Sequence, residues 1–322
     1  MQNFLLSLPI ILTLLVVVVN GFTDAPNAIA TAVCTGAIGL KSACLLCGAF
    51  NFVGCLSFSL LSGQVIDTVF SIISPKNEVE AYICITSALL TTIVFAITAW
   101  LFKMPTSESH ALICGLIGAS LFFGEKSKLS SQGIYIIICM CVSCLLAFLL
   151  SLTLGKIKFE AQKKHLIFSL CSCSLMHGAQ DGQKFVGALM FLGGFMNTSA
   201  TVFAKAPLCI LVSFFMLSGS LLGGKRIIDT LGNKTSKLNF SGAFFSDISS
   251  IFTVLFCSLL GLPVSTGNIR TFSIIGAGVS INQPINKKTA GSVLLISVLT
   301  LPVCFIMGYF ICYLLLPIRA LI

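Results

Sequence analysis

Residues 21–28 read Gly-Phe-Thr-Asp-Ala-Pro-Asn-Ala, and residues 176–184 read Met-His-Gly-Ala-Gln-Asp-Gly-Gln-Lys. Each places an aspartate, Asp24 or Asp181, inside an otherwise apolar run. Pro105 follows Asp24 by 81 residues, and Pro263 follows Asp181 by 82. Pro105 heads Thr106-Ser107-Glu108-Ser109-His110, and Pro263 heads Val264-Ser265-Thr266-Gly267-Asn268. Further on, Gly118-Ala119 is answered by Gly276-Ala277. The offset is 157 at the aspartates and 158 at the prolines and glycines. A register kept over such a length marks an internal repeat.

The composition sets the solvent for this repeat. Of 322 residues, 57% are hydrophobic and 9% charged, with a mean hydropathy of +1.05. A soluble surface needs about a quarter of residues charged. Apolar segments fall at 4–35, 40–61, 81–102, 106–123, 133–155, 165–195, 206–223, 241–262, 264–280 and 290–316. Crossing a bilayer takes about 20 helical residues. The chain therefore reads as an all-α polytopic membrane protein. Pro105 and Pro263 separate neighbouring segments so tightly that each pair reads as a broken helical hairpin. The halves are an N-terminal repeat over 1–155, a basic linker over 156–164 and a C-terminal repeat over 165–322. Each half holds an odd number of segments, so the second inserts inverted. Inverted-topology repeats are an architecture of secondary transporters.

The net charge of +9 is read as topology, not nucleic-acid binding. Eleven loop cations (Lys41, Lys156, Lys158, Lys163, Lys164, Lys225, Arg226, Lys234, Lys237, Lys287 and Lys288) share one side, against five (Lys76, Lys126, Lys128, Lys205 and Arg319) on the other. The positive-inside bias makes the first side cytoplasmic and both termini extracytoplasmic in a cell (inner or plasma) membrane. The N-terminus lacks a basic leader region, so the first apolar run is expected to be a retained helix. Most of the 15 cysteines lie in apolar runs, where cysteine behaves as a small hydrophobe. The Cys44/Cys47 and Cys141/Cys144 pairs have no nearby histidine to suggest a metal site.

Charges inside membrane segments are functional candidates. They are Asp24, Asp181, Glu108, Lys184, Lys103, Arg270 and Asp247. Asp24, Asn27 and freed carbonyls form a hard oxygen set suited to a small cation such as Na+, with Thr23 beside them. The second copy offers Asp181, Gln180 and Gln183. The hairpin motifs open helices at Thr106, Ser107 and Ser109, and at Ser265, Thr266 and Gly267. Helix N-termini with hydroxyl donors bind oxyanions, although Ser and Thr also serve as ordinary N-caps. Lys184 balances an anion or pairs with Asp181. Glu108, His110, His177 and Asn268 support the site or carry protons. Asp247 reads as a helix-start residue at the cytoplasmic edge, and Lys103 as a snorkelling cation.

These motifs resemble the inorganic phosphate transporter (PiT) family of phosphate permeases. Gly21 to Ala28 is similar to its G-A-N-D-x-x-N-A pattern, and Met176 to Lys184 to the second copy, A-H-G-A-N-D-A-Q-K. Pro105 to His110 and Pro263 to Asn268 resemble its P-x-S-T-T-H hairpins. The resemblance spans both halves. It implies a homodimer of inverted repeats importing inorganic phosphate with Na+ or H+, and no further cofactor. It also implies that Asp24, Asn27 and Asp181 serve cation and substrate, and that Ser107, Ser109, Ser265 and Thr266 serve phosphate. Thr23 and Gln180 stand where the family has Asn, Glu108 where it has Thr, and Gly267 and Asn268 where it has Thr and His. Sulfate, another tetrahedral oxyanion, is the alternative substrate. An intramembrane lipid pyrophosphatase would want an arginine beside a hairpin serine, and the first hairpin has none. A passive channel fits poorly with buried opposite charges.

Overall fold

The computed structural model describes every residue except 1, 62, 103, 105, 125–128, 194–201, 223–224, 231–235, 237 and 318–322. Pro105 and Lys103, and the loop cations Lys126, Lys128, Lys234, Lys237 and Arg319, thus lie outside the described residues. The described chain is helical, apart from an isolated bridge between Ser236 and Ile285. The first half contains α1 (Gln2–Thr23), α2 (Ala25–Cys34), α3 (Leu40–Leu61), α4 (Gln64–Phe70), α5 (Glu78–Leu101), α6 (Glu108–Phe122), a π turn (Leu129–Gly133) and α7 (Ile134–Leu154). The second contains α8 (Lys163–Leu192), α9 (Val202–Leu222), α10 (Lys225–Ile228), α11 (Phe240–Leu259), α12 (Thr266–Ser280) and α13 (Lys287–Leu315).

Among the described residues, seven stretches are long and apolar enough to cross a membrane. They bury a polar interior and expose an apolar belt. On α7, for example, Ile138, Val142, Leu145 and Leu149 are exposed at helical spacing while Met140, Cys144 and Ala147 are buried. That is the pattern of a helix between protein and lipid. α6 and α12 have 15 residues each, about 22 Å of helix. This is short of the roughly 30 Å hydrocarbon core. All fifteen cysteines are free thiols.

The helix pairings match between the halves: α1–α9 with α8–α3, α1–α5 with α8–α11, α5–α6 with α11–α12, and α6–α13 with α12–α7. The glycines that marked the repeat are where the last two contacts are closest. A Cβ on Gly118 would run into the Phe305 carbonyl of α13, and one on Gly276 into the Phe148 carbonyl of α7. The two contacts differ by the same offset that separates the motifs.

The hairpins turn by a different device than expected. α11 stops at Gly261, whose φ is 67°. The Leu262 N–H bonds the Cys257 carbonyl at 2.8 Å and the Gly261 N–H bonds the Ser258 carbonyl at 3.1 Å. These are the paired bonds of a Schellman stop. Pro263 therefore follows the break and prevents its continuation, but does not cause it. In the first hairpin the Met104 N–H bonds the Ala99 carbonyl at 3.0 Å, the same bond 158 residues earlier. The first apolar run is broken at Asp24, between α1 and α2. Pro26 brings no N–H to the carbonyl four residues back. Its counterpart α8 runs unbroken through Asp181. α4 and α10 carry no transmembrane signal and were not expected.

Candidate substrate and ion site

Both hairpin tips, the α1–α2 break and the middle of α8 meet at one buried point. Asp181 is the hub. Its Oδ1 accepts from the Lys184 ammonium at 2.6 Å and the Ser109 hydroxyl at 3.2 Å. Its Oδ2 accepts from the Thr266 hydroxyl at 3.1 Å and the Asn20 amide at 3.5 Å, with His177 Nε2 at 3.2 Å. His177 and Lys184 reach it because they lie one turn before and after it on the same helix face. Ser109 comes from the first hairpin and Thr266 from the second, so one carboxylate ties the two tips together.

Asp24 is held differently. Its Oδ1 accepts from the Asn27 amide at 2.5 Å, while its Oδ2 and the Asn27 Oδ1 are buried without a protein partner. Glu108 contacts the Thr23 hydroxyl through Oε1, and its Oε2 is unpartnered. Asn20 Oδ1 and both amide atoms of Gln183 share that condition. Buried polar atoms in a folded protein are nearly always satisfied, so the clustering of unpartnered oxygens here makes this side a candidate for a ligand. Ligand atoms of Asp24, Asp181 and His177 lie within 4.8 Å of one another, a grouping able to hold a metal ion. The oxygen donors fit a hard cation such as Na+; His177 Nε2 is turned to Asp181.

Gly267 explains a departure from the resembled pattern. A Cβ there would sit 2.5 Å from Asp24 Oδ1 and 2.7 Å from Asn27 Nδ2. The absence of a side chain lets the second tip close onto the first motif, beside the Thr106 carbonyl.

Several expected ligands are already engaged. Ser107 and Ser265 are N-caps, accepting from the His110 and Asn268 N–H groups at 3.1 and 3.2 Å. They give the two tips one shape, and a hydroxyl that accepts a capping N–H keeps its own hydrogen to donate. His110 Nδ1 lies 2.6 Å from Ser107 Oγ and 3.4 Å from the Asn268 amide, so both tips also meet there. Gln180 points back to the hairpin turn, donating to the Leu262 carbonyl at 2.9 Å and accepting from Ser258 at 2.7 Å. It does not join the open oxygen set. Lys184 uses its three hydrogens on Asp181, Ser109 at 2.5 Å and the Val264 carbonyl at 2.8 Å. An anion reaches it only by replacing one of them. His177 is oriented by Asn51 Oδ1, 3.1 Å from its Nδ1, a partner no motif pointed to. Thr106 is buried at the first tip.

The reading of Asp247 as an edge residue does not hold. It is fully buried, eight residues into α11, and its Oδ1 pairs with Arg270 Nη2 at 2.5 Å. Nothing in a one-dimensional pattern joins residues from two different helices in this way.

The set is buried among helices of membrane-spanning length. Three acids (Asp24, Glu108 and Asp181) face one ammonium, because Arg270 is neutralised elsewhere. Comparison with known proteins agrees with a transport role. The chain is 31% identical over 313 residues to a probable low-affinity inorganic phosphate transporter of Rhizobium meliloti (strain 1021), covering 91% of each. It is 30% identical to one of the same description from Bacillus subtilis (strain 168), covering 94% of this chain and 97% of that protein. A solved structure, "The sodium-dependent phosphate transporter", superposes with a TM-score of 0.83 over 97% of this chain and 99% of that one at 19% identity. It therefore shares the fold. These relatives are transporters by name, in keeping with a chain that is no enzyme. The profile described as "Phosphate transporter family" matches residues 20–165 and 156–308, and the chain belongs to that family.

Proposed function

We propose that this protein imports inorganic phosphate across the cell membrane by symport with a cation, Na+ or H+, through alternating access. The observation that carries the reading is the convergence of both hairpin tips on Asp181 and Lys184 beside the unpartnered oxygens of Asp24, Asn27 and Glu108. With its acids ionised the site carries a net charge of −2. An oxyanion enters such a place only when positive charge enters too, because like charges this close repel strongly out of water. Cation and anion thus raise each other's affinity, which is the thermodynamic basis of coupled transport. Rocking of one repeat, inverted relative to the other, would then expose the site to each side in turn.

Phosphate is favoured over sulfate on hydrogen-bonding grounds. Near neutral pH phosphate carries a hydrogen and sulfate carries none. The unpartnered Asp24, Glu108 and Asn27 oxygens are acceptors, and a buried acceptor facing another acceptor is costly. The lipid pyrophosphatase alternative loses its arginine, since Arg270 is engaged with Asp247. The orientation with both termini extracytoplasmic and the homodimer are parts of the same proposal. They are read by labelling introduced terminal cysteines and by the mass of the purified particle. Transport itself is tested by labelled phosphate uptake into proteoliposomes under an imposed Na+ or H+ gradient. Gradient-driven uptake is expected, and uptake indifferent to both gradients would overturn the reading.

A further inference from the structure

Outside the site, a buried polar network among the described residues is centred on Arg270. Its Nη2 pairs with Asp247 Oδ1 at 2.5 Å and bonds the Thr31 hydroxyl at 2.6 Å. Its Nη1 donates to Ser250 at 3.1 Å, and its Nε donates to the main-chain carbonyl of Asn27, also at 3.1 Å. Asp247 in turn accepts from Thr31 at 2.9 Å and from Ser169 at 2.5 Å. One ion pair therefore joins α2, α8, α11 and α12, and one of its arms ends on a residue of the cation set. Arg270, Asp247, Thr31 and Ser169 are all buried.

Its place in the fold is defined. Thr31 lies seven residues past Asp24, about 10 Å along the helix, toward the loop before Lys41. Ser169 lies one and a half turns inside α8 from Lys163 and Lys164. The clamp thus sits between the site and the lysine-rich face. A narrow cavity lined by Asn27, His177 and Thr266 at the site and by Cys173, Ser250 and Arg270 at the clamp joins the two.

The equivalent positions on the opposite side have different chemistry. Shifted by the repeat offset, Arg270 corresponds to Leu112, Asp247 to Leu89, Ser169 to Leu12 and Thr31 to Ala188. All four belong to one buried apolar cluster. The site is closed by charge on one side and by hydrocarbon on the other.

We infer that the Arg270–Asp247 pair is a gate between the site and the lysine-rich face, and that Arg270 is a positioning residue for Asn27. Water entering on opening hydrates both charges, so the pair separates at modest cost, while its closed form seals a dry path. Because Arg270 holds the Asn27 carbonyl, opening also loosens the cation set, which ties release of the cation to release of the anion. The inference rests on the transport reading for its purpose, but its test does not require transport.

Cys173 is the reporter. It is buried, with Sγ 3.8 Å from the Asp247 carbonyl and 3.7 Å from the Ser250 hydroxyl, and it lines the cavity. Purified protein in liposomes is treated with an impermeant thiol reagent from either side, with Cys173→Ser as the background for each variant. Lys164→Cys marks the lysine-rich face. Asp247→Asn is expected to raise Cys173 modification from that face by at least about tenfold, in the range of an ordinary coupling energy. Ser169→Ala, a milder loosening, should raise it less. Phosphate with Na+ should change the wild-type rate. Folded variants whose Cys173 rate matches wild type, or rises only from the opposite face, would overturn the gate. If Asp247→Asn does not fold, Ser169→Ala decides alone. Failure of phosphate uptake with a responsive Cys173 would count against the substrate and leave the gate standing.

Discussion

Asp24→Asn tests the electrostatic coupling most directly. The substitution keeps shape and the oxygen that accepts from Asn27 at 2.5 Å, while removing one negative charge. A cation held by Asp24 lies near an anion held by the partners of Asp181, across a separation of the order of the 4.8 Å that groups these side chains. At an effective dielectric constant near 20, opposite unit charges at that distance attract by about 3 kcal/mol. By linkage, saturating cation should tighten phosphate binding by roughly 150-fold, and phosphate should tighten cation binding equally. In Asp24→Asn that mutual gain should shrink by about the same factor, leaving what Glu108 contributes. The assay is equilibrium binding of labelled phosphate to purified protein with and without saturating Na+, and at two pH values for H+. Gradient-driven uptake should vanish while cation-free phosphate binding persists or improves, since a repelling charge has gone. A folded Asp24→Asn variant that keeps the full cation dependence would refute the reasoning.

Asp181→Asn should be harsher, because it strands the Lys184 ammonium in the interior. Loss of one member of a buried pair costs about 3–5 kcal/mol, so thermal unfolding should show a clear drop along with lost uptake; wild-type stability would contradict the hub role. Glu108→Thr restores the residue of the resembled pattern and removes a carboxylate, so transport should persist with one fewer cation per phosphate, read from the steepness of uptake against cation concentration. An unchanged slope would place Glu108 outside the coupling. Gly267→Ala should abolish phosphate binding with helix content intact, since the new methyl would collide with Asp24 and Asn27; normal binding would mean the tips are not held that closely. Sulfate should compete at least about tenfold more weakly than phosphate, because it brings no hydrogen to the acceptor side; equal competition would reverse that choice.

Much of this protein is legible in one dimension, for identifiable reasons. Membrane solvent makes each interior charge costly, so Asp24, Asp181, Glu108 and Lys184 stand out against an apolar background. Repeat spacing is a property of the chain alone, so the pairing of Pro105 with Pro263 and of Gly118 with Gly276 needs no coordinates. The bilayer's thickness converts apolar run lengths into helices, and the segments at 40–61 and 241–262 are close to α3 and α11. The same logic misses α4 and α10, which are too short to carry a signal, and it assigns the hairpin break to Pro263 although the left-handed Gly261 makes it.

What the tertiary structure alone decided is how the polar groups divide among partners. Residue types announce that Asp181 and Asp24 are matched. Only packing shows that Asp181 accepts from Lys184, Ser109, Thr266 and Asn20 while Asp24 keeps an open oxygen. Gln180 and Gln183 look alike in sequence, yet one is anchored to the Leu262 turn and the other is unpartnered. Asp247 reads as an edge residue until α12 brings Arg270 against it. Such pairings join residues up to 243 positions apart, as with Arg270 and the Asn27 carbonyl. Hydropathy and spacing report the cost of placing a charge in the interior, whereas the identity of the group that offsets that cost depends on which helices touch.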